Sequence, residues 1–305
     1  MNGDPLLIQP EGTVSFIALG SAGAVFRDSN GQVIKTTLKH DTRGCEAHVI
    51  EHVQHIESIS ELCIDREKLI YRNLPKNPHI LECLDIGDES LRFPYYRLGN
   101  LRDYLQHNRI DNQLRDRWIG NAIDAVNWIH TYGVVHADIS PRNFLVADDL
   151  SIKLCDFAGS AIRDLRPLIE EEDRYRLSPL TPRTCKTDLF ALGCLIYEIS
   201  TGRRPYEEIE DTEEVEKLYH ARQFPNLDGL KYQSIIYKCW TSQYTDANLL
   251  RGDYSHCTGQ EGHKGMPVAL WESVTACLRE KSMIPTALGV IGFGVVWIWV
   301  NWKRR

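Results

Sequence analysis

Two glycines sit three residues apart in Gly20-Ser21-Ala22-Gly23-Ala24-Val25, and a turn of that kind lets backbone N–H groups approach phosphate oxygens with no side chain in the way. Downstream come Val33-Ile34-Lys35, then His136-Ala137-Asp138 with Asn143, then Asp156-Phe157-Ala158-Gly159. A lysine suits phosphate oxygens, and carboxylates with a carboxamide are hard donors for a hard cation that also bridges phosphates. Each string is weak alone, because glycine pairs, surface lysines and turn residues around Pro141 are common. Order and spacing carry the specificity. Asn143 follows Asp138 by five residues and Asp156 follows Asn143 by thirteen, which leaves room for a strand, a turn and a second strand between two metal-ligand types.

Those side chains need a scaffold, and the intervening sequence predicts one. Ser15 to Leu19 and Ala24 to Arg27 read as strands beside the glycine turn, and Asp28-Ser29-Asn30-Gly31 as a hairpin into Gln32 to Thr36. Apolar residues at helical spacing predict a helix from about Ser58 to Leu74 that carries Glu67. Apolar runs at Ile80 to Leu84 and Leu91 to Phe93 complete an expected five-stranded lobe. After Gly99 the pattern is helical, with a short helix near Leu101 to Leu105, a long one over Leu114 to Ile129, and a core helix over Thr187 to Ser200 ended by Thr201-Gly202. Val134-Val135, Phe144 to Val146 and Ile152 to Leu154 are short strands that carry the polar strings. The expected organisation is α+β: a tail over 1–12, a small β lobe over 13–98, a larger helical lobe over 99–250, a linker or insertion over 251–283 with room for a helix, an apolar segment over 284–302 and a basic end over 303–305.

With 43% hydrophobic and 25% charged residues among 305, the composition is that of a globular chain and excludes wholesale disorder. A formal charge of -7 argues against nucleic acid as a partner. The acidic runs Glu170 to Asp173 and Glu207 to Glu216 read as solvated faces rather than metal sites. Nine cysteines, odd in number, scattered and never spaced as a metal pair, suggest reduced thiols, and Cys155 reads as a buried strand residue.

From Ile284 to Trp302 the chain carries no charge and is apolar apart from Thr286 and Asn301. At about 1.5 Å per residue, a helix of that length just crosses a ~30 Å hydrocarbon core. Trp297, Trp299 and Trp302 lie near one end, with Arg279 and Lys281 flanking the other. The reading is a single-pass C-terminal membrane anchor; a buried or interfacial terminal helix is the alternative.

In combination the strings resemble the eukaryotic protein kinase superfamily, over roughly Ser15 to Leu250. Lys186-Thr187-Asp188-Leu189-Phe190-Ala191-Leu192-Gly193, Lys238-Cys239-Trp240 and Asp156 to Ser160 look most like small fungal Ser/Thr kinase-domain proteins. The resemblance implies a bilobal kinase-like fold, ATP and Mg2+ as cofactors, a protein substrate, and a catalytic domain facing the cytosol. It assigns ATP binding to Ala18, Leu19, Gly20, Ser21, Ala22, Gly23 and Val25, to Lys35 with its helix partner Glu67, and to the backbone of Tyr95 and Tyr96 behind the gatekeeper Phe93. Asp138 matches the aspartate that accepts or steers the proton of the attacking hydroxyl, and Asn143 and Asp156 match the magnesium ligands. Asp188 matches the support of the catalytic loop, and His136 the brace for Phe157.

The departures are specific. Ala18 stands where the first loop glycine belongs, and Ala137 replaces the arginine that normally meets an activation-segment phosphate, which argues against that control. Ser140 replaces a lysine; Arg142, two residues on, either takes over stabilisation of the transferred phosphoryl group or faces solvent. Ala158 replaces the glycine of the third motif, with Gly159 one place later, and no A-P-E string is visible near Arg174-Tyr175-Arg176. The leading expectation is a membrane-tethered kinase acting on Ser or Thr hydroxyls. Its rivals are a non-catalytic pseudokinase scaffold and a small-molecule phosphotransferase.

Overall fold

The computed structural model describes residues 4–259 apart from 21, 170 and 179. Strands β1 (Leu6–Leu7) and β5 (His40–Asp41) form a small pair. The strands β2 (Thr13–Leu19), β3 (Ala24–Asp28), β4 (Val33–Thr36), β6 (Asp85–Ile86) and β7 (Ser90–Phe93) form one antiparallel sheet in the order β2-β3-β4-β7-β6. The expected hairpin after β3 is closed by Asp28, whose Oδ1 accepts the N–H groups of Asn30 and Gln32 at 2.9 Å while Oδ2 pairs with Arg92 at 2.7 Å. Lys35 lies opposite Val25 on one side and Leu91 on the other, at the middle of the sheet.

Helix α1 (Ala47–Asn73) begins well before the predicted Ser58. Its first half is polar because it faces solvent, with Val53 the one buried residue before Ser60, and so it shows little apolar period. The second half buries Cys63, Ile64, Glu67 and Ile70. Ile80 to Leu84 is not the predicted strand. Ile80 forms a single bridge to Leu154, and Leu81 N–H donates to the Leu154 carbonyl at 2.8 Å, so this run is apolar because it is packed against the large lobe.

The large lobe contains α2 (Leu101–His107), α3 (Asn112–Thr131), β8 (Val134–Val135), β9 (Phe144–Val146), β10 (Ile152–Leu154), β11 (Ala161–Ile162), α4 (Cys185–Thr201), α5 (Thr212–His220), α6 (Gln233–Trp240) and α7 (Ala247–Thr258). Asn100 and Asp111 cap α2 and α3 through their side chains, and a reciprocal Thr184–Thr187 box starts α4. Helix α4 is buried nearly all round, as its composition predicts, with Leu189, Phe190, Leu192, Leu195, Ile196 and Ile199 in the core beside Trp118 and Trp240. A β lobe with a larger helical lobe is the bilobal α+β architecture expected of the sequence.

Two expectations are corrected here. Arg251 does not open a linker: Asp246 caps α7 by accepting the N–H of Asn248, and Tyr254 Oη donates to the Asp116 carbonyl on α3 at 2.8 Å, so residues 251–258 belong to a packed helix. Among the described residues no helix is long and apolar enough to cross a membrane, and the membrane localisation is withdrawn. The Ile284 to Trp302 segment on which it rested, with its basic flanks and the helix expected at 266–283, lies outside the described residues.

Candidate active site

Lys35 projects from the central strand to meet carboxylates from both lobes, Glu67 Oε2 on α1 at 2.6 Å and Asp156 Oδ1 at 2.7 Å. Burial opposes the charge on Lys35, but Asp156 and Glu67 together raise its pKa above the ordinary lysine value. Burial likewise opposes the charge on Asp156, and the Lys35 ammonium prevails, holding its pKa below the usual carboxylate range. For Glu67, 1% exposed, burial wins and the pKa is raised. Glu67 Oε1 also accepts the Phe157 N–H at 3.2 Å, tying α1 to the segment after Asp156.

The glycine turn is tied to α1. Gly20 N–H donates to the Gly23 carbonyl at 2.9 Å, and Ser60 on α1 donates to the Ala22 carbonyl at 3.0 Å. A Cβ at Gly23 would overlap the Thr36 carbonyl, so close approach of β3 and β4 demands glycine there. Ala18 lies opposite Val25 and Leu19 opposite Ala24 along β2 and β3, and Ser21 lies outside the described residues. Tyr95 is covered by Arg27, 4.3 Å above its ring, and Tyr96 packs beside Phe93 at the junction of the lobes.

The large lobe supplies the other polar groups. Antiparallel β9 and β10 pair Phe144 with Leu154, and Cys155 N–H continues the ladder to the Asn143 carbonyl at 2.9 Å, so Asn143 and Asp156 emerge at one end of a hairpin. Asn143 Nδ2 donates to the Asp138 carbonyl at 2.7 Å and to Asp138 Oδ2 at 2.8 Å, which leaves Asn143 Oδ1 as its ligating atom. Asp138 Oδ1 and Ser140 Oγ are buried with no hydrogen-bond partner, and burial raises the Asp138 pKa. No cluster of three His, Cys, Asp or Glu among the described residues could hold a metal alone. Asn143 and Asp156 instead fit a hard cation such as Mg2+, whose remaining ligands would come from phosphate and water.

Two residues in this region take left-handed backbone, Ala137 and Asp156, each at φ +64°. Such residues cost roughly 1–3 kcal/mol unless the surroundings hold them. At Ala137 the hold is visible. Asp188 accepts the His136 N–H at 2.8 Å and the Ala137 N–H at 2.9 Å, and His130 Nε2 meets the same carboxylate at 2.8 Å. His136 Nε2 bonds the Cys155 carbonyl at 3.0 Å while its ring lies 5.2 Å from Phe157.

One contributor, on the same helix face as Glu67, was given no role from sequence. Tyr71, four residues after Glu67, lies 5.4 Å from Phe157 and 5.5 Å from Phe93, completing an aromatic column from His136 to the junction of the lobes. Its position one helical turn after Glu67 was the available signal. Arg142 pairs with the segment that follows the third motif: its Nη2 lies 3.3 Å from Glu172, and its side chain is 42% exposed. Glu171 and Glu172, from the acidic run expected to be a solvated face, are also not solvated, since Glu171 is buried against Arg183 and Glu172 lies among arginines. At Gly159 φ is not positive; a Cβ there would overlap the Ile169 side chain, so the chain passes too closely for anything larger.

The family model described as "Protein kinase domain" matches residues 27–247. A putative serine/threonine-protein kinase of Acanthamoeba polyphaga mimivirus is 25% identical over 245 residues, covering 75% of this chain and 43% of that protein. A probable serine/threonine-protein kinase of Clostridium acetobutylicum is 37% identical over 210 residues, 63% of this chain and 30% of its own length. The dual specificity protein kinase Ttk of Danio rerio is 24% identical over 214 residues, 62% of this chain and 20% of its own. The chain thus spans less than half the length of each of these relatives.

Proposed function

Because this chain belongs to the protein kinase family, we propose that it transfers the γ-phosphoryl group of ATP, in the presence of Mg2+, to Ser or Thr hydroxyls of protein substrates. The observation that carries the reading is the convergence of five polar groups from two lobes: Lys35, Glu67, Asp138, Asn143 and Asp156. Lys35, kept charged and in place by Glu67, would hold phosphate oxygens beneath the glycine turn. Asn143 and Asp156 would hold magnesium, which when bound neutralises charge that develops on the phosphates. Asp138 Oδ1, buried and unpartnered, is the acceptor for the hydroxyl proton of the substrate. Ser/Thr preference draws support from the named activities of the mimivirus and clostridial relatives.

The test is phosphate transfer by the full chain from γ-labelled ATP to a generic protein substrate, with the labelled amino acid then identified. Label on Ser or Thr that vanishes in Asp138→Asn and in Asp156→Asn supports the reading. Label on Tyr alone would overturn the acceptor assignment, and ATP binding without transfer would favour a scaffold.

A further inference from the structure

Glu172 draws arginines from three separate places in the large lobe. Its carboxylate accepts from Arg102 Nη1 on α2 at 2.9 and 2.8 Å, Arg142 Nη2 of the catalytic loop lies 3.3 Å away, and Arg204 Nη1, beyond α4, lies 3.5 Å away. Arg102 is fixed from behind, since Glu198 on α4 accepts from its Nε at 3.0 Å and its Nη2 at 3.1 Å, and Tyr175 binds both Arg102 and Glu198. Burial opposes the charge on Glu172, but Arg102 and Arg142 hold its pKa below the ordinary carboxylate value. It is an ionised, 13% exposed anion at the centre of a cationic socket.

From Phe157 to Ser178 the sequence offers three hydroxyls, Ser160, Tyr175 and Ser178, and they are 0%, 0% and 5% exposed. Ser160 Oγ donates to the His136 carbonyl at 3.0 Å, and the Tyr175 hydroxyl donates to Glu198. None is presented to a second enzyme. The arginine replaced at Ala137, which would have met a phosphate, is absent from the same segment's surroundings.

We propose that Glu172 is a positioning residue: a fixed carboxylate that anchors segment 163–178 to α2 and aims Arg142 beside Asp138, so that the site assembles without phosphorylation of that segment. The inference rests on the phosphoryl-transfer reading and names how its site is kept in order. A carboxylate needs no partner enzyme to install it and none to remove it, which makes the assembled site the resting state of the chain.

The experiment uses full-length protein, with wild type treated by a phosphatase and compared with Glu172→Gln and Glu172→Asp. Phosphatase-treated wild type keeps its rate; Glu172→Gln loses about tenfold or more in kcat with the KM for ATP held within about twofold, and Glu172→Asp recovers part of the loss. Full kcat in Glu172→Gln would overturn the inference, as would loss of transfer on phosphatase treatment or loss of ATP-analogue binding together with kcat. Should wild type transfer nothing, the phosphoryl-transfer reading fails, and amide hydrogen exchange decides the anchoring separately. Faster exchange across 163–178 in Glu172→Gln then supports it, and unchanged exchange overturns it.

Discussion

At Lys35 one ammonium answers two carboxylates, and its removal would leave Glu67, 1% exposed, without a counter-charge. Breaking such a buried pair costs about 3–5 kcal/mol. Lys35→Met is therefore expected to lower the Tm and abolish transfer, while Lys35→Met with Glu67→Gln regains stability but not activity, as paired melting and rate measurements would show. Asp138 gives the opposite trade. Burial raises its pKa and leaves one oxygen unpartnered, and an unsatisfied buried group of this kind costs about 1–3 kcal/mol. Its folded pKa lies above the unfolded value, so its contribution to stability is fully present below the unfolded pKa and is lost as pH rises through the folded one. Asp138→Asn should be inactive yet melt higher than wild type at neutral pH, with the difference shrinking in acid. A lower Tm at neutral pH would contradict this account. These residues were legible in sequence because a shared chemical task fixes their types and spacings. Glu172, Arg102 and Glu198 were not, since their pairings span 70 and 96 residues and follow no local period.

Helices α3 and α4 and the loop before β9 act as one element, joined through Asp188, which meets His130 on α3 and the N–H groups of His136 and Ala137. Burial opposes the charged imidazole, but the hydrogen bond to Asp188 raises the His130 pKa from 6.5 to about 9. A raised histidine contributes its full stabilisation below pH 6.5 and loses it as pH rises through about 9. Stability should therefore decline across that window, and His130→Gln should flatten the decline in a series of urea titrations. At the turn after Asp156, Gly159→Ala is expected to displace Ile169 and reduce transfer, and Ile169→Ala, which removes the two nearest atoms, should restore part of it. Sequence pattern placed these elements well where apolar composition tracks burial, as in α4. It failed where burial has another cause: the first half of α1 is solvent-facing and shows little period, and Ile80 to Leu84 is apolar because it lies between lobes.

Across the whole molecule, the lobes meet through Lys35 with Asp156, Glu67 with Phe157, and Arg66, whose Nη1 donates to the carbonyls of Ser160 at 2.5 Å and Arg166 at 2.7 Å. A ligand that binds between them should stabilise both together. At a hundredfold excess over its Kd, ATP with Mg2+ would add about 2.7 kcal/mol to the folded state. The Tm should rise in wild type and hardly at all in Lys35→Met, and two separate melting transitions would argue against joint binding. The bilobal plan was legible because a strand-rich segment gives way to a helical one at Gly99, whereas the meeting of the lobes depends on side chains that no local pattern connects.

The measurement that bears most directly on the central claim is single-turnover transfer of labelled γ-phosphate from ATP and Mg2+ by wild type and Asp138→Asn, each shown beforehand to bind ATP. The account predicts transfer in wild type and at least a hundredfold less in Asp138→Asn at equal ATP occupancy, by the roughly 10²–10⁴-fold contribution of a positioned base. Equal rates in the two proteins, or no transfer by an ATP-bound wild type, would contradict it.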